Sequence, residues 1–153
     1  MNIEKEIHQN KFRNEYQKSI INLIFTYNWL RDQLQTYLAK YHLTMQQYNI
    51  LRILRGAGRP LSTLQIRERM LDKMSDTSRI VDRLVIKGWV KKTLCKKDRR
   101  LVDIVISDSG MKLLRKLDPS FEEIDKIFDS LSVKEAQQIN KLLDKIRNRK
   151  IKY

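Results

Sequence analysis

A mainly α-helical fold carrying one small β-hairpin is what the sequence predicts, and three observations carry that expectation. Apolar residues recur at spacings of three and four from Phe12 to Tyr41, with no glycine or proline between residues 1 and 55. Shorter helical patterns follow, the first of them closed by the breaker Gly56-Ala57-Gly58-Arg59-Pro60. Beyond Gly88, two short β-type runs flank the polar tip Cys95-Lys96-Lys97-Asp98-Arg99-Arg100.

The first pattern, through Tyr16, Ile20, Leu23, Ile24, Tyr27, Leu30, Leu34, Tyr37 and Leu38, predicts one amphipathic helix of about 30 residues, roughly 45 Å long. A small domain needs less, so part of the apolar stripe is expected to be covered by a second copy of the chain. Thr44 is placed as the N-cap of the next helix, with Gln47 reaching back to complete a capping box. That helix runs through Tyr48, Ile50, Leu51, Ile53 and Leu54 to the glycines. Ser62 or Thr63 caps a third helix, with Leu64, Ile66 and Met70 as its inward residues.

A fourth helix begins near Ser75. Thr77, Ile80, Val81, Leu84 and Val85 fall on its core-facing arc, while Ser75, Ser78, Arg79, Asp82 and Arg83 lie opposite or at the margins. Two short helices joined by a tight turn, the second with a polar and basic outer face, describe a helix-turn-helix. Val90–Leu94 and Leu101–Ile106 then read as strands, with Val102, Ile104 and Ile106 on one face. Asp108-Ser109-Gly110 opens a helix carrying Met111, Leu114, Leu117, Phe121, Ile124, Ile127 and Phe128, where Pro119 predicts a kink or break near Leu117-Asp118. Ser132 and Glu135 form a capping box for a last helix through Ala136, Ile139, Leu142, Leu143 and Ile146.

The charge balance narrows the function. The chain has 32 Lys and Arg against 18 acids, a net charge of +14, and the excess is local. Residues 44–110 hold 15 basic against 7 acidic side chains, whereas residues 1–43 hold 6 against 4 and residues 111–153 hold 11 against 7. A basic surface concentrated on the helix-turn-helix segment points to nucleic acid rather than to an anionic membrane. No apolar run approaches the roughly 18 residues of a membrane span, and Met1–Asn10 lacks a signal-peptide apolar region. The single cysteine, Cys95, fits a reducing cytoplasm. No P-loop, dinucleotide-binding glycine pattern, Ser/His/Asp arrangement or catalytic carboxylate pair is present, so an enzyme is not expected. His8 and His42 stand too far apart, without acids or cysteines nearby, to mark a metal site, and no cofactor is expected.

Chemistry therefore concentrates in two stretches. Ser75, Asp76, Thr77, Ser78 and Arg79 open the fourth helix, where backbone amides favour phosphate and a guanidinium can reach guanine O6 and N7, with Arg83 one turn further on. Asp76 and Asp82 sit awkwardly beside phosphates; each is expected to cap the helix, accept from cytosine, or pair with an arginine, such as Asp82 with Arg79 or Asp76 with Arg83. In the tip, Lys96, Lys97 and Arg99 are expected on phosphates, while a guanidinium at Arg100 suits the negative potential of a narrow minor groove. Asp98 either pairs with Arg99 or Arg100 or shapes the turn. A run of charges is more often merely a solvated face, and it is the flanking strands that lift this one above that reading.

Three stretches carry a resemblance: RIVDRLVIKGWV at 79–90, DRRLVDIVISDSG at 98–110 and LSVKEAQQINKLLDKI at 131–146. In this order, behind the long first helix, they resemble the MarR family of bacterial transcriptional regulators over roughly residues 10–148. Asp98-Arg99-Arg100 is similar to the family's wing signature, and Ile106-Ser107 stand where its Leu-Thr usually lies. The resemblance implies a winged helix-turn-helix core at 44–110 flanked by dimerisation helices at 1–43 and 111–153. It also implies a homodimer on an inverted-repeat operator in double-stranded DNA, acting as a repressor. By the same likeness Arg100 would enter the minor groove, Asp98 would hold the wing in shape, and Ser75 to Arg79 would begin the reading helix. Members are often released from DNA by a small aromatic or phenolic effector, for which Phe25, Trp29 and Tyr48 are the candidate residues, although aromatics at helical spacing are more often core or interface. The competing function class is a module that binds DNA without sequence preference, or another protein, with no regulatory ligand.

Overall fold

The structure, a computed structural model, describes residues 2–94 and 102–148, and at 120–123 the backbone alone. Its elements run α1 (Ile3–Glu6), α2 (Glu15–Ala39), α3 (Met45–Ala57), α4 (Thr63–Arg69), α5 (Thr77–Ile86), β1 (Val90–Leu94), β2 (Val102–Ile106), α6 (Asp108–Asp125), a 3-10 turn at Lys126–Phe128, and α7 (Val133–Arg147). Backbone contacts divide the chain into two compact units, Met1–Gly110 and Met111–Tyr153. The fold is the mainly helical one with a hairpin that the sequence predicts.

The long first helix is shorter than its apolar pattern. It starts at Glu15, because Asn14 takes an extended conformation and accepts the Gln17 amide at 2.9 Å, while the Gln17 side chain accepts the Arg13 amide at 2.6 Å. Phe12 therefore lies outside the helix, and 25 residues give about 37 Å. Before it stands α1, a separate turn pinned by buried Ile3 and an ion pair between Glu4 and Lys18, 2.5 Å apart. An N-cap can start a helix without glycine or proline, which the absence of breakers concealed.

The capping boxes expected at Thr44 with Gln47 and Ser132 with Glu135 form, and of the two candidate caps for the third helix it is Ser62 that serves, in a box with Gln65. Gly58, at φ 60°, takes the left-handed position that ends α3. Pro119 does not break α6, which continues from Asp108 to Asp125. A proline removes one backbone hydrogen bond, and a helix of 18 residues retains the others.

In the first unit α3, α4, α5 and the hairpin enclose a core of fully buried Ile50, Leu51, Leu61, Ile66, Val81, Leu84 and Ile104. The strands pair antiparallel, Val90 with Ile106 through Leu94 with Val102. Ile104 also exchanges both backbone hydrogen bonds with Leu61, at 2.9 and 3.1 Å, so the approach to α4 adds a one-residue third strand to the sheet. That bridge fastens the hairpin to the front of the helix-turn-helix.

Candidate nucleic-acid interface

The turn before α5 is built on Asp72, whose carboxylate accepts the Met74 amide at 3.1 Å and whose carbonyl accepts the Ser75 hydroxyl at 2.8 Å. Ser75 is thus spent on the turn. Asp76 caps the helix, accepting the Arg79 amide at 3.1 Å, and so resolves the first awkward acid without pairing with Arg83. Thr77 is only 3% exposed, on the core-facing arc that the helix periodicity predicts, so its side chain is not a DNA contact beside Ser75 to Arg79. α5 itself starts at Thr77, two residues after the expected start.

Ser78, Arg79, Asp82 and Arg83 form the exposed face of α5. Asp82 forms an ion pair with Lys92 of β1, not with Arg79, which joins the helix to the hairpin. Its negative charge is therefore matched by a cation ten residues away in sequence. Neither Arg79 nor Arg83 has an ion-pair partner among the described residues, so two guanidinia four residues apart project from one helix face. Lys91, exposed on β1, extends the basic surface. Lys96, Lys97, Asp98, Arg99 and Arg100, with Cys95 and Leu101, lie outside the described residues.

The base of the hairpin is a dense junction. The Gly88 carbonyl accepts the hydroxyls of both Ser107 and Ser109 at 2.6 Å, and the Trp89 carbonyl accepts the Ser107 amide at 3.0 Å. Ser107 in turn accepts the Gly110 amide at 3.1 Å, capping α6. The Lys87 ammonium, at the end of α5, donates to the His42 carbonyl and to Gln47 Oε1 at 3.2 Å, and sits 4.8 Å from the centre of the Trp89 ring. None of these partners is near Lys87 in sequence except Trp89, so no local pattern announces the junction.

The three expected effector residues are not brought together. Phe25 and Trp29 share a cleft of about 400 Å³ with Asn2, Ile3 and Glu6. Tyr48 instead accepts a hydrogen bond from Arg52 at 2.9 Å, with the guanidinium over its ring. A second cleft, of about 470 Å³, opens where α2 meets α3 and the turn after α4, lined among others by Tyr27, Arg31, Gln35, Met45, Met70 and Lys73. Tyr27 belongs to the apolar stripe legible in the sequence, whereas Arg31 and Gln35 were not candidates, because polar residues on an exposed helix give no sign of facing a cleft. Among the described residues, no group of three His, Cys, Asp or Glu could hold a metal ion, and no helix is long and apolar enough to cross a membrane.

Comparison with known proteins places this geometry. Residues 43–102 match the model of the MarR family. The HTH-type transcriptional regulator PecS of Dickeya dadantii (strain 3937) is 29% identical over 111 residues, 71% of this chain and 67% of PecS. The crystal structure of a MarR transcription factor from Planctomyces limnophilus superposes with a TM-score of 0.67 at 29% identity, covering 88% of this chain and 98% of that one. Bordetella bronchiseptica BpsR, whose DNA binding is regulated by 6-hydroxynicotinic acid, shares the fold with a TM-score of 0.79 at 21% identity, over 92% of this chain and all of BpsR.

Proposed function

We propose, from the premise that this chain belongs to the MarR family of transcriptional regulators, that it is a cytoplasmic, non-enzymatic repressor that binds an inverted-repeat operator as a homodimer. The observation that carries this reading is the exposed α5 face. Arg79 and Arg83 project from the second helix of a helix-turn-helix, with no carboxylate neutralising either among the described residues. In a major groove such guanidinia meet guanine O6 and N7, and Ser78 meets phosphate or a base edge. Ser75 and Asp76 contribute the turn and the cap that present this face, and Thr77 anchors it from the core side. Lys96, Lys97 and Arg99 would hold phosphates at the hairpin tip, where Arg100 would enter the minor groove and Asp98 would brace the tip.

Residues 1–43 and 111–153 would supply the dimer contacts. On α2, Tyr16 is 82% exposed, and Ile20, Leu23, Ile24 and Tyr27 continue the same face. On α7, Ile139, Leu142 and Ile146 form a second exposed stripe. The effector would be a small aromatic acid or phenolate in the cleft at the α2–α3 joint, where Tyr27, Met45 and Met70 offer apolar contact, and where Lys73 and Arg31, the latter shared with Asp32 at 3.2 Å, offer cations beside the Asp32 and Asp72 carboxylates. Regulation of BpsR by 6-hydroxynicotinic acid is a precedent for such a ligand on this fold.

The test is selection of bound duplexes from a random pool, followed by fluorescence anisotropy. A preferred sequence held about a thousandfold or more tighter than random duplex supports the operator reading. A ratio near one would make the chain the non-specific module instead. Arg100→Ala should weaken binding while leaving the fold intact; equal affinities for wild type and variant across salt concentrations would sink the wing assignment.

A further inference from the structure

We infer that Lys87 is a positioning residue for DNA binding, tying the α5 helix and the hairpin base to the α2–α3 joint so that a change in the cleft there reaches the DNA-facing surface. The inference rests on the DNA-binding reading above. Lys87 is the C-cap of α5, and its side chain reaches three groups, from the turn beyond α2, from α3 and from the start of the hairpin. Two are oxygens, the His42 carbonyl just beyond α2 and the Gln47 amide oxygen of α3; the third is the face of Trp89 at the start of the hairpin. The link thus joins the ends of α2, α3 and α5 and the root of the hairpin, which is itself locked to α6 through Gly88 and Ser107.

The other side of the joint leads into the cleft. Gln35, which lines it, donates to the Leu43 carbonyl at 3.2 Å and accepts the Met45 amide at 3.3 Å, and Met45 lines the same cleft. Residues 42–47 are therefore held from the cleft side by Gln35 and from the α5 side by Lys87. Between them His42 adopts the left-handed backbone, at φ 56°, that closes α2, with the Leu43 amide donating to the Leu38 carbonyl at 3.1 Å. The Lys87 ammonium has no carboxylate partner among the described residues. Neutral oxygens and a ring face hold a cation more weakly than a buried carboxylate would, and a switchable link needs that intermediate strength. A ligand pressing on Gln35 or Met45 would move the residues that hold Lys87, and with it the end of α5.

The experiment uses the full chain and a duplex that the wild type selects from a random pool. Lys87→Met keeps the aliphatic stem and removes the cation. It should lower duplex affinity by about threefold to thirtyfold without changing the slope of log affinity against log salt, because the lysine meets no phosphate. Lys87→Arg should restore most of the loss. A slope shallower by about one would make Lys87 a direct phosphate contact and overturn the proposal, as would wild-type affinity in Lys87→Met. Gln35→Ala should weaken binding in the wild type and add little in the Lys87→Met background. Additive effects, or none from Gln35→Ala, would remove the link to the cleft. Thermal melts check that each variant folds. Hydrogen exchange without DNA separates failure of this inference from failure of the DNA-binding reading. Faster exchange at the Gly88 and Trp89 amides in Lys87→Met supports the positioning role even if no duplex is selected, and unchanged exchange overturns it.

Discussion

Arg79 and Arg83 stand one turn apart on an exposed helix face, and their neighbours are arranged so that they are left uncancelled. Asp76 spends its carboxylate on the Arg79 amide and Asp82 spends its own on Lys92. The sequence shows two acids among the arginines of α5, but the choice of partner depends on where the strand lies, ten residues on. Arg79→Ala and Arg83→Ala should each cost about 1–3 kcal/mol of binding to the selected duplex and relax preference at one base position. Anisotropy against single-substituted duplexes reads both; a uniform loss over all sequences would reassign that arginine to phosphate. Gly110 answers to a different demand. A Cβ there would lie 2.3 Å from the Trp89 carbonyl oxygen and 2.9 Å from an Ile106 methylene. Alanine gains about 1 kcal/mol of helix propensity over glycine, yet a clash with fixed backbone costs about 1–3 kcal/mol and wins. Gly110→Ala should therefore lower the urea midpoint and loosen the junction of hairpin and α6. The glycine is plain in the sequence as part of a helix start; its real reason, a close approach of backbone from residue 89, is not.

Among the elements, those with local punctuation were legible and those shaped by distant contacts were not. Capping boxes at Thr44, Ser62 and Ser132 are short-range hydrogen-bond patterns, so three helix starts could be placed almost to the residue. The start of α2 at Glu15 depends on Asn14 becoming extended, which competes with a continuous apolar pattern and leaves no such mark. Of the kink or break expected at Pro119, the break does not occur, since one lost hydrogen bond does not end a helix of 18 residues. α7 offers a measurable consequence. The Ser132 hydroxyl and amide both donate to Glu135, at 2.7 and 2.8 Å, and hold its carboxyl below the ordinary value. A carboxyl with a depressed folded pKa stabilises above its unfolded value, and that contribution disappears as pH falls through the folded one. Ser132→Ala should thus weaken α7 at neutral pH and return the Glu135 titration upward, towards an ordinary glutamate, as followed by carboxyl chemical shifts. An unmoved titration would mean the capping box does not set the pKa.

For the whole molecule, the apolar stripe of α2 is left uncovered in the isolated chain, with Tyr16, Ile20, Leu23, Ile24 and Tyr27 all substantially exposed. Burying each is worth about 1.5–3 kcal/mol, enough together to hold a second copy. Ile20→Glu combined with Ile24→Glu should convert the proposed dimer to a monomer by light scattering while far-ultraviolet circular dichroism keeps its helical signal. A dimer that survives both charges would move the interface off α2. Paired reading heads also predict steep salt dependence, since each neutralised phosphate releases counterion. The sequence by itself determined the helical class, the hairpin, the local excess of positive charge and the apolar stripe. Each of these is a sum over neighbours in the chain, through hydrogen bonds or periodicity that a few residues complete. Only the tertiary structure decided that Asp82 meets Lys92, that Leu61 adds a strand to Ile104, and that Lys87 reaches His42 and Gln47. Those pairings join residues ten to 45 positions apart, and their geometry exists only once the core between them has packed.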